Sequence, residues 1–498
     1  MIALLPLDDR PCNTRFPAQI AAIGADVLAQ PPTETLGRFN APGDFDALAS
    51  WLDALPQVQA LVVSIDMLAY GGLVASRKTT TSLETALQRL EILRQWRSAR
   101  PDVPIYAFNV LMRLAVTMDS DAAVPHYYNV MKWARLCDEA ERFPTEQNQS
   151  ELQEIRAQIP AAIIESYLTA RRRNHEVNLS MIDWLGEGVF DYLLVTQEDC
   201  TEFGLHRREQ DELLARVNEH KVADKFSLHP GADEAALTLL AREWNDQVSF
   251  GVAWSNVERK RDIAVFEDVP YEDALKSHIH ALKGSIAGAN AEADVRLFVN
   301  APVGGSQKNE TPESKAARHN EFHFQFLPQI QAALDAGERV ALCDVAFPNG
   351  ADEVLMNSID TFGGEILARL IAYGGWNTAG NTTGTILAQC AAVVRAERAG
   401  CKAESGELNR NFLFERLLDD WFYQANLRAR LEKEARDSGF SPLSMNGHTR
   451  QIEDSARREI TQFARDLARN HFGARVQDLR VTLPWGRTFE VSVGAKLG

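Results

Sequence analysis

The sequence predicts an α/β protein built on parallel strands: a (β/α)8 barrel-like sheet with insertions and a helical C-terminal region, with two doubly wound α/β domains as the alternative. Three observations predict it. Short β-rich runs alternate with amphipathic helical stretches over most of the 498 residues. Several of those runs are apolar throughout, as strands covered on both faces are. Polar residues follow nearly every run.

The runs lie at 2–7, 60–65, 104–110, 191–196, 225–229, 295–300, 339–345 and 370–376. They match the strand number of a barrel, but weaker runs at 26–29 and 248–254 raise the count to ten and keep the doubly wound alternative open. The intervening segments carry apolar residues at three- and four-residue spacing, as in 83-LETALQRLEILRQWRSA-99. Residues 119–185 read as a charged helical insertion broken by Pro125, Pro144 and Pro160. From 391 the chain becomes helical and rich in both charge signs, closing on one or two strands within 480–497. The expected division is an α/β catalytic domain over 1–390 and a mainly helical region over 391–498.

Composition narrows the function. With 45% apolar and 24% charged residues the chain is an ordinary globular protein. Its formal charge of −17 disfavours nucleic acid and anionic membrane as partners. No apolar run reaches the roughly 18–20 residues of a membrane span, and MIALLPLDDRP lacks the basic region of a signal peptide. Six scattered cysteines suggest neither a zinc framework nor disulfides, and reduced thiols fit a cytoplasmic protein. No cofactor motif is present: GxGxxG, GxxxxGK[ST] and GxSxG are all absent from the strand ends. A small molecule or oligosaccharide is the expected partner, and nothing identifies an oligomer interface.

In parallel α/β proteins ligands bind at the carboxyl ends of strands. The first run is followed by Asp8, Asp9 and Arg10, the second by Asp66 and Tyr70, and the third supplies Asn109 and Arg113. The fourth ends in Glu198 and Asp199, the sixth in Asn300, the seventh in Asp344 and Asn349, and the eighth in Tyr373, Trp376, Asn377 and Asn381. Each alone has an ordinary explanation. Asp233 and Asp352 suit helix caps, the glycine pairs 71–72 and 374–375 suit turns, and His229 suits a structural hydrogen bond. Together they point to one polar rim.

Carboxylates, amides and aromatic faces suit a carbohydrate. Glu198 and Asp199 are the expected catalytic pair. As strand neighbours they should face opposite ways, which suits two jobs: protonating a leaving oxygen and orienting a substrate group that is itself the nucleophile. A divalent-metal hydrolase or lyase is the alternative, its Mg²⁺ or Mn²⁺ held by Asp8, Asp9, Asp66, Glu198, Asp199 and Asp344, with His206 and His229 as nitrogen ligands. A third is a non-enzymatic sugar- or polyol-binding protein.

The motifs 6-PLDDRPCN-13, 64-SIDMLAYGGLVASR-77, 196-TQEDCTEFG-204, 344-DVAFPNGAD-352, 372-AYGGWNTAGNTTGT-385 and 484-PWGRTFEV-491 resemble a bacterial family known as domain of unknown function 4127. That resemblance spans nearly the whole chain and implies that the motifs build one site. More distantly, Glu198-Asp199, Asp344 with Asn349, and Tyr373-Gly-Gly-Trp376-Asn377 are similar in order to strand-end motifs of barrel β-N-acetylglucosaminidases of the O-GlcNAcase and hyaluronidase-like type. The chain departs from that type at Glu198, at Val345 and at the extra glycine before Trp376. The likeness implies that Glu198 orients an acetamido oxygen and Asp199 is the general acid. It further implies that Asp344 and Asn349 hold hydroxyls, and that Trp376 or Tyr373 stacks on the ring.

Overall fold

The computed structural model describes residues 1–288, 291–305 and 309–498. Two compact units form. The first comprises Met1–Ala18, Asp26–Glu243 and Phe266–Asp268, and the second Gln19–Ala25, Trp244–Val265 and Val269–Gly498.

In the first unit, β1 (Ile2–Leu5), β2 (Leu28–Ala29), β3 (Leu61–Ser64), β4 (Ile105–Leu111), β5 (Tyr192–Gln197) and β6 (Phe226–Pro230) pair in the order β2-β1-β3-β4-β5-β6. All are parallel, with Leu4 opposite Val62, Val63 opposite Ala107 and Phe108 opposite Leu194. β1, β3, β4 and β5 are buried along their whole length, which explains their unbroken apolar runs. In the second unit, β7 (Ser249–Trp254), β8 (Ser285–Ile286), β9 (Val295–Asn300), β10 (Val340–Asp344) and β11 (Ala372–Gly374) pair in the order β11-β10-β9-β7-β8, again all parallel.

Neither sheet closes, so the strands build two open sheets of six and five instead of the expected eight-stranded barrel. Chain order reverses once in each, between β1 and β3 and between β7 and β9. With right-handed crossovers, that reversal sends successive helices to opposite faces, as in doubly wound folds.

The helices start where short polar side chains satisfy their first N–H groups. Asp44, Ser64, Ser82, Thr378 and Asp352 each cap the helix that follows. The insertion folds as three helices, Val124–Arg142, Glu146–Ala157 and Ala161–Gly186, with Pro125 in the first turn of one and Pro160 immediately before another. They share a core of their own that includes Val130, Trp133, Tyr167 and Cys200. In the second unit, the helix Lys402–Arg416 runs into a π-helix, Leu417–Leu427, whose Leu417, Leu418 and Trp421 join Phe298, Leu342 and Tyr373 in one core. The chain ends in an antiparallel pair, β12 (Val476–Thr482) and β13 (Ser492–Leu497). Among the described residues no helix is long and apolar enough to cross a membrane.

Candidate functional site

At the point where strand order reverses, the carboxyl edge of a doubly wound sheet opens toward ligands. In the first unit β1 leads there into Asp8 and Arg10. Buried Arg10 donates from Nε to Asp8 Oδ2 at 2.9 Å and from Nη1 to Asp233 Oδ2 at 3.1 Å. Asn13 Nδ2 bridges the same carboxylates, 2.8 Å from Asp8 and 3.2 Å from Asp233. Two acids around one guanidinium hold Arg10 well above its ordinary range even though burial acts in the opposite sense. Asp9 is the outer member, 3.5 Å from the exposed Arg38.

Glu198 accepts from Arg77, in the short helical turn after the Gly71-Gly72 bend, and lies 3.5 Å from Arg113. Asp199 pairs with the same Arg113. The two neighbouring acids therefore converge on one guanidinium instead of facing opposite ways. β5 ends at Gln197, so the alternation of the pleat no longer governs them. Burial brings Arg77 down to about 10, with Glu198 resisting and Arg113 and Arg10 adding to the fall.

Asp66 accepts from the main-chain N–H of Val110 at 2.9 Å, and burial pushes its carboxyl up to about 7. Arg173 lies over the Tyr70 ring, 4.3 Å from its centroid. Asn109 donates to Asn178 Oδ1 at 2.9 Å, and His229 Nδ1 contacts Pro230 O at 3.0 Å.

The second unit repeats the theme with other residues. Asn300, last in β9, donates from Nδ2 to Asp344 Oδ1 at 2.9 Å and to Asp352 Oδ2 at 3.0 Å. Asp344, last in β10, also accepts from the main-chain N–H of Asp352 at 2.7 Å. Asp352 acts as the expected cap, accepting from Val354 N at 2.9 Å, while Arg318 pairs with its other oxygen. Burial pushes the Asp344 carboxyl up to about 7, and Asp352 reinforces the shift. Asp420, supplied by the π-helix, accepts from Gly375 N at 3.0 Å and is likewise raised to about 7, by burial first, against Arg416 and with Asp419 and Asp344. A wide turn of this kind is frequent at functional sites. The buried Tyr373 hydroxyl has no hydrogen-bond partner among the described residues.

Arg318 also donates to Glu310 at 2.7 Å. Burial alone would raise Glu310, but Arg318 and Ser314 outweigh it and hold its carboxyl below the usual range. Glu310, Val303, Thr311, Ser314 and Phe347 line an open pocket of about 290 Å³, near the lower end of small-molecule sites. The remaining expected residues shape the turns. Asn349 and Asn377 adopt left-handed backbone, φ 60° and 51°, and Asn349 N donates to Asn377 O at 2.7 Å. Asparagine tolerates that conformation best after glycine. Thr382 clamps the main chain of Trp376, and Asn381 sits in the first turn of the helix capped by Thr378.

The single expected rim thus falls on two carboxyl edges. Asp8, Asp9, Arg10, Asp66, Tyr70, Asn109, Arg113, Glu198 and Asp199 belong to the first unit, and Asn300, Asp344, Asn349, Tyr373, Trp376, Asn377 and Asn381 to the second. Asn13, Arg77, Arg318 and Asp420 were not foreseen. Asn13 and Arg77 lie inside the quoted motifs, and Asp419-Asp420 interrupts an apolar run at 417–423, the one signal that marked them.

A family model described as protein of unknown function, DUF4127, matches residues 2–494. The chain belongs to that family. No curated protein matches it.

Proposed function

We propose that this DUF4127 protein is a hydrolase that acts on a small hydroxylated molecule of the carbohydrate type, with Asp344 as the proton donor. One observation carries the reading: a fully buried carboxyl at the end of a central strand, pushed up to about 7, with its orientation fixed by Asn300 and by Asp352 N–H. A general acid works best when its pKa lies near the operating pH. Asp344 meets that condition, whereas Asp199 is ion-paired with Arg113 and is better suited to binding. Asn300, the Asp352 N–H and the Ala346 N–H all donate to the Asp344 carboxyl, which leaves one of its roughly four lone-pair positions for the proton.

The hydrogen-bonded chain Asp344–Asn300–Asp352–Arg318–Glu310 fixes this carboxyl relative to one wall of a 290 Å³ pocket that Asp344 itself does not line. Its lining offers carboxylate and hydroxyl groups to substrate hydroxyls and the Phe347 face to an apolar ring side. Glu198, with Arg77 and Arg113, is assigned a binding and orienting role in the first unit.

The test is a panel of aryl glycosides and short oligosaccharides incubated with the full-length protein, with product followed by absorbance and chromatography. Turnover of at least one member is expected, and Asp344→Asn should lower kcat by about 10²–10⁴-fold. Full activity in Asp344→Asn, or no turnover of any member, overturns the reading.

A further inference from the structure

We infer that Cys200, His206 and Asp268 form a binding site for one divalent transition-metal ion of the zinc class. All three lie in the first unit, whereas the proposed acid Asp344 belongs to the second. Their ligand atoms lie within 4.8 Å of one another, and all three residues are buried.

The geometry suits a tetrahedral ion. His206 Nε2 and Asp268 Oδ2 are 3.3 Å apart, about the edge of a tetrahedron built on bonds of ~2.0–2.1 Å. Their contact is not aligned as a hydrogen bond. Among the described residues neither ring nitrogen of His206 makes an aligned hydrogen bond, although the side chain is wholly buried and Nε2 lies beside Asp268. A buried imidazole left in that state is rare, and an ion between Nε2, the carboxylate and Cys200 Sγ supplies the missing partner.

Outer contacts hold the ligands in place. Gln210 and Arg207 donate to Asp268 Oδ2 at 2.7 and 3.2 Å and hold the carboxylate in place, leaving its other oxygen open to an ion. Cys200 N donates to Phe266 O at 3.0 Å, which fixes the loop that carries the sulfur.

Charge agrees. A thiolate, a carboxylate and a neutral imidazole balance a dication. Binding therefore exchanges one proton for the ion: the S–H bond breaks, the S–metal bond forms and H⁺ leaves to solvent.

The position gives the ion a task. Cys200 follows Glu198 and Asp199 directly, and Asp268 ends Phe266–Asp268, a three-residue segment of this unit whose neighbours in sequence belong to the other. A bound ion ties that segment to the strand-end loop and fixes the two acids against Arg77 and Arg113.

Cobalt titration of the chelator-stripped full-length protein tests this. About one Co²⁺ per chain should bind, releasing about one proton and producing a near-ultraviolet thiolate-to-cobalt charge-transfer band that excess Zn²⁺ removes. Cys200→Ser should abolish the band, and Asp268→Asn, which keeps the side-chain size, should weaken uptake at least ~10-fold. Should the serine variant not fold, the asparagine variant decides alone. Absence of the band in the wild type, or an undiminished band in a folded variant, overturns the assignment.

Discussion

Asp352 donates its main-chain N–H to Asp344 Oδ2 at 2.7 Å while its own carboxylate caps the helix Glu353–Phe362. One residue thereby fixes the start of a helix, orients a buried acid and places a second negative charge beside it. Burial raises the Asp344 carboxyl to about 7, and that charge reinforces the shift. A donor of this kind makes activity fall as pH rises through about 7, because the proton to be given is then lost. With any substrate that is turned over, kcat measured from pH 5 to 9 should show this descending limb. A rate that stays flat from pH 6 to 9 would remove Asp344 from the role.

Arg10 is the cation between Asp8 and Asp233, with all three buried. Removing it leaves two buried carboxylates without the cation that joins them. Arg10→Ala should therefore destabilise the first unit by about 3–5 kcal/mol, seen as a lower urea midpoint. Adding Asp233→Asn to that variant should restore part of the loss, since one of the stranded charges is gone. Equal midpoints for wild type and Arg10→Ala would show that the cluster contributes nothing.

The strands were readable because burial on both faces leaves an apolar run, and because polar residues mark where each run stops. β8 was missed: it is two exposed residues, Ser285–Ile286, with no pattern to detect. β7 was underrated because Ser249 and Val252–Trp254 are only partly buried, yet it is the strand at which the second sheet reverses. Pairing is not written in periodicity, so the same runs fit a closed barrel or two open sheets. At the carboxyl edges, Asp8, Glu198 and Asp344 could be picked out because they end or closely follow strands. Arg77, Arg318 and Asp420 come from helices, where a charge reads as a solvated face until its burial is known.

Asp66 offers a test of burial against ionisation. Its folded pKa is raised from 3.8 to about 7, chiefly by burial. A carboxyl raised on folding contributes stability below its unfolded pKa and loses it as pH climbs through the folded value. The window is therefore pH 4 to 7, and a three-unit shift corresponds to about 4 kcal/mol at most. Asp66→Asn keeps an acceptor for Val110 N–H without the charge. It should be less stable relative to wild type at pH 4 than at pH 8, the difference narrowing or reversing as pH rises. Parallel curves of melting temperature against pH would contradict the shift.

Gly375 shows how tightly the second carboxyl edge is assembled. A Cβ there would lie 3.1 Å from the Tyr373 hydroxyl, 3.2 Å from Ala351 Cα and 3.3 Å from Asp344 Cβ. Two of those atoms belong to the frame of the site and cannot swing away, and Gly375 N is also committed to Asp420 Oδ2 at 3.0 Å. Gly375→Ala should therefore cost about 1–3 kcal/mol through overpacking. It should also disturb the acid, since the added methyl presses on Asp344 and Tyr373 together. The expected signature is a lowered melting temperature with a pH–rate descent displaced from about 7. Gly406→Ala is the control: no atom lies within 4 Å of the Cβ it would add. It lies inside the helix Lys402–Arg416, where alanine is the better helix former by roughly 1 kcal/mol, so that variant should be as stable as wild type or more so. Equal melting temperatures for Gly375→Ala and wild type would show that the edge yields where the geometry says it cannot.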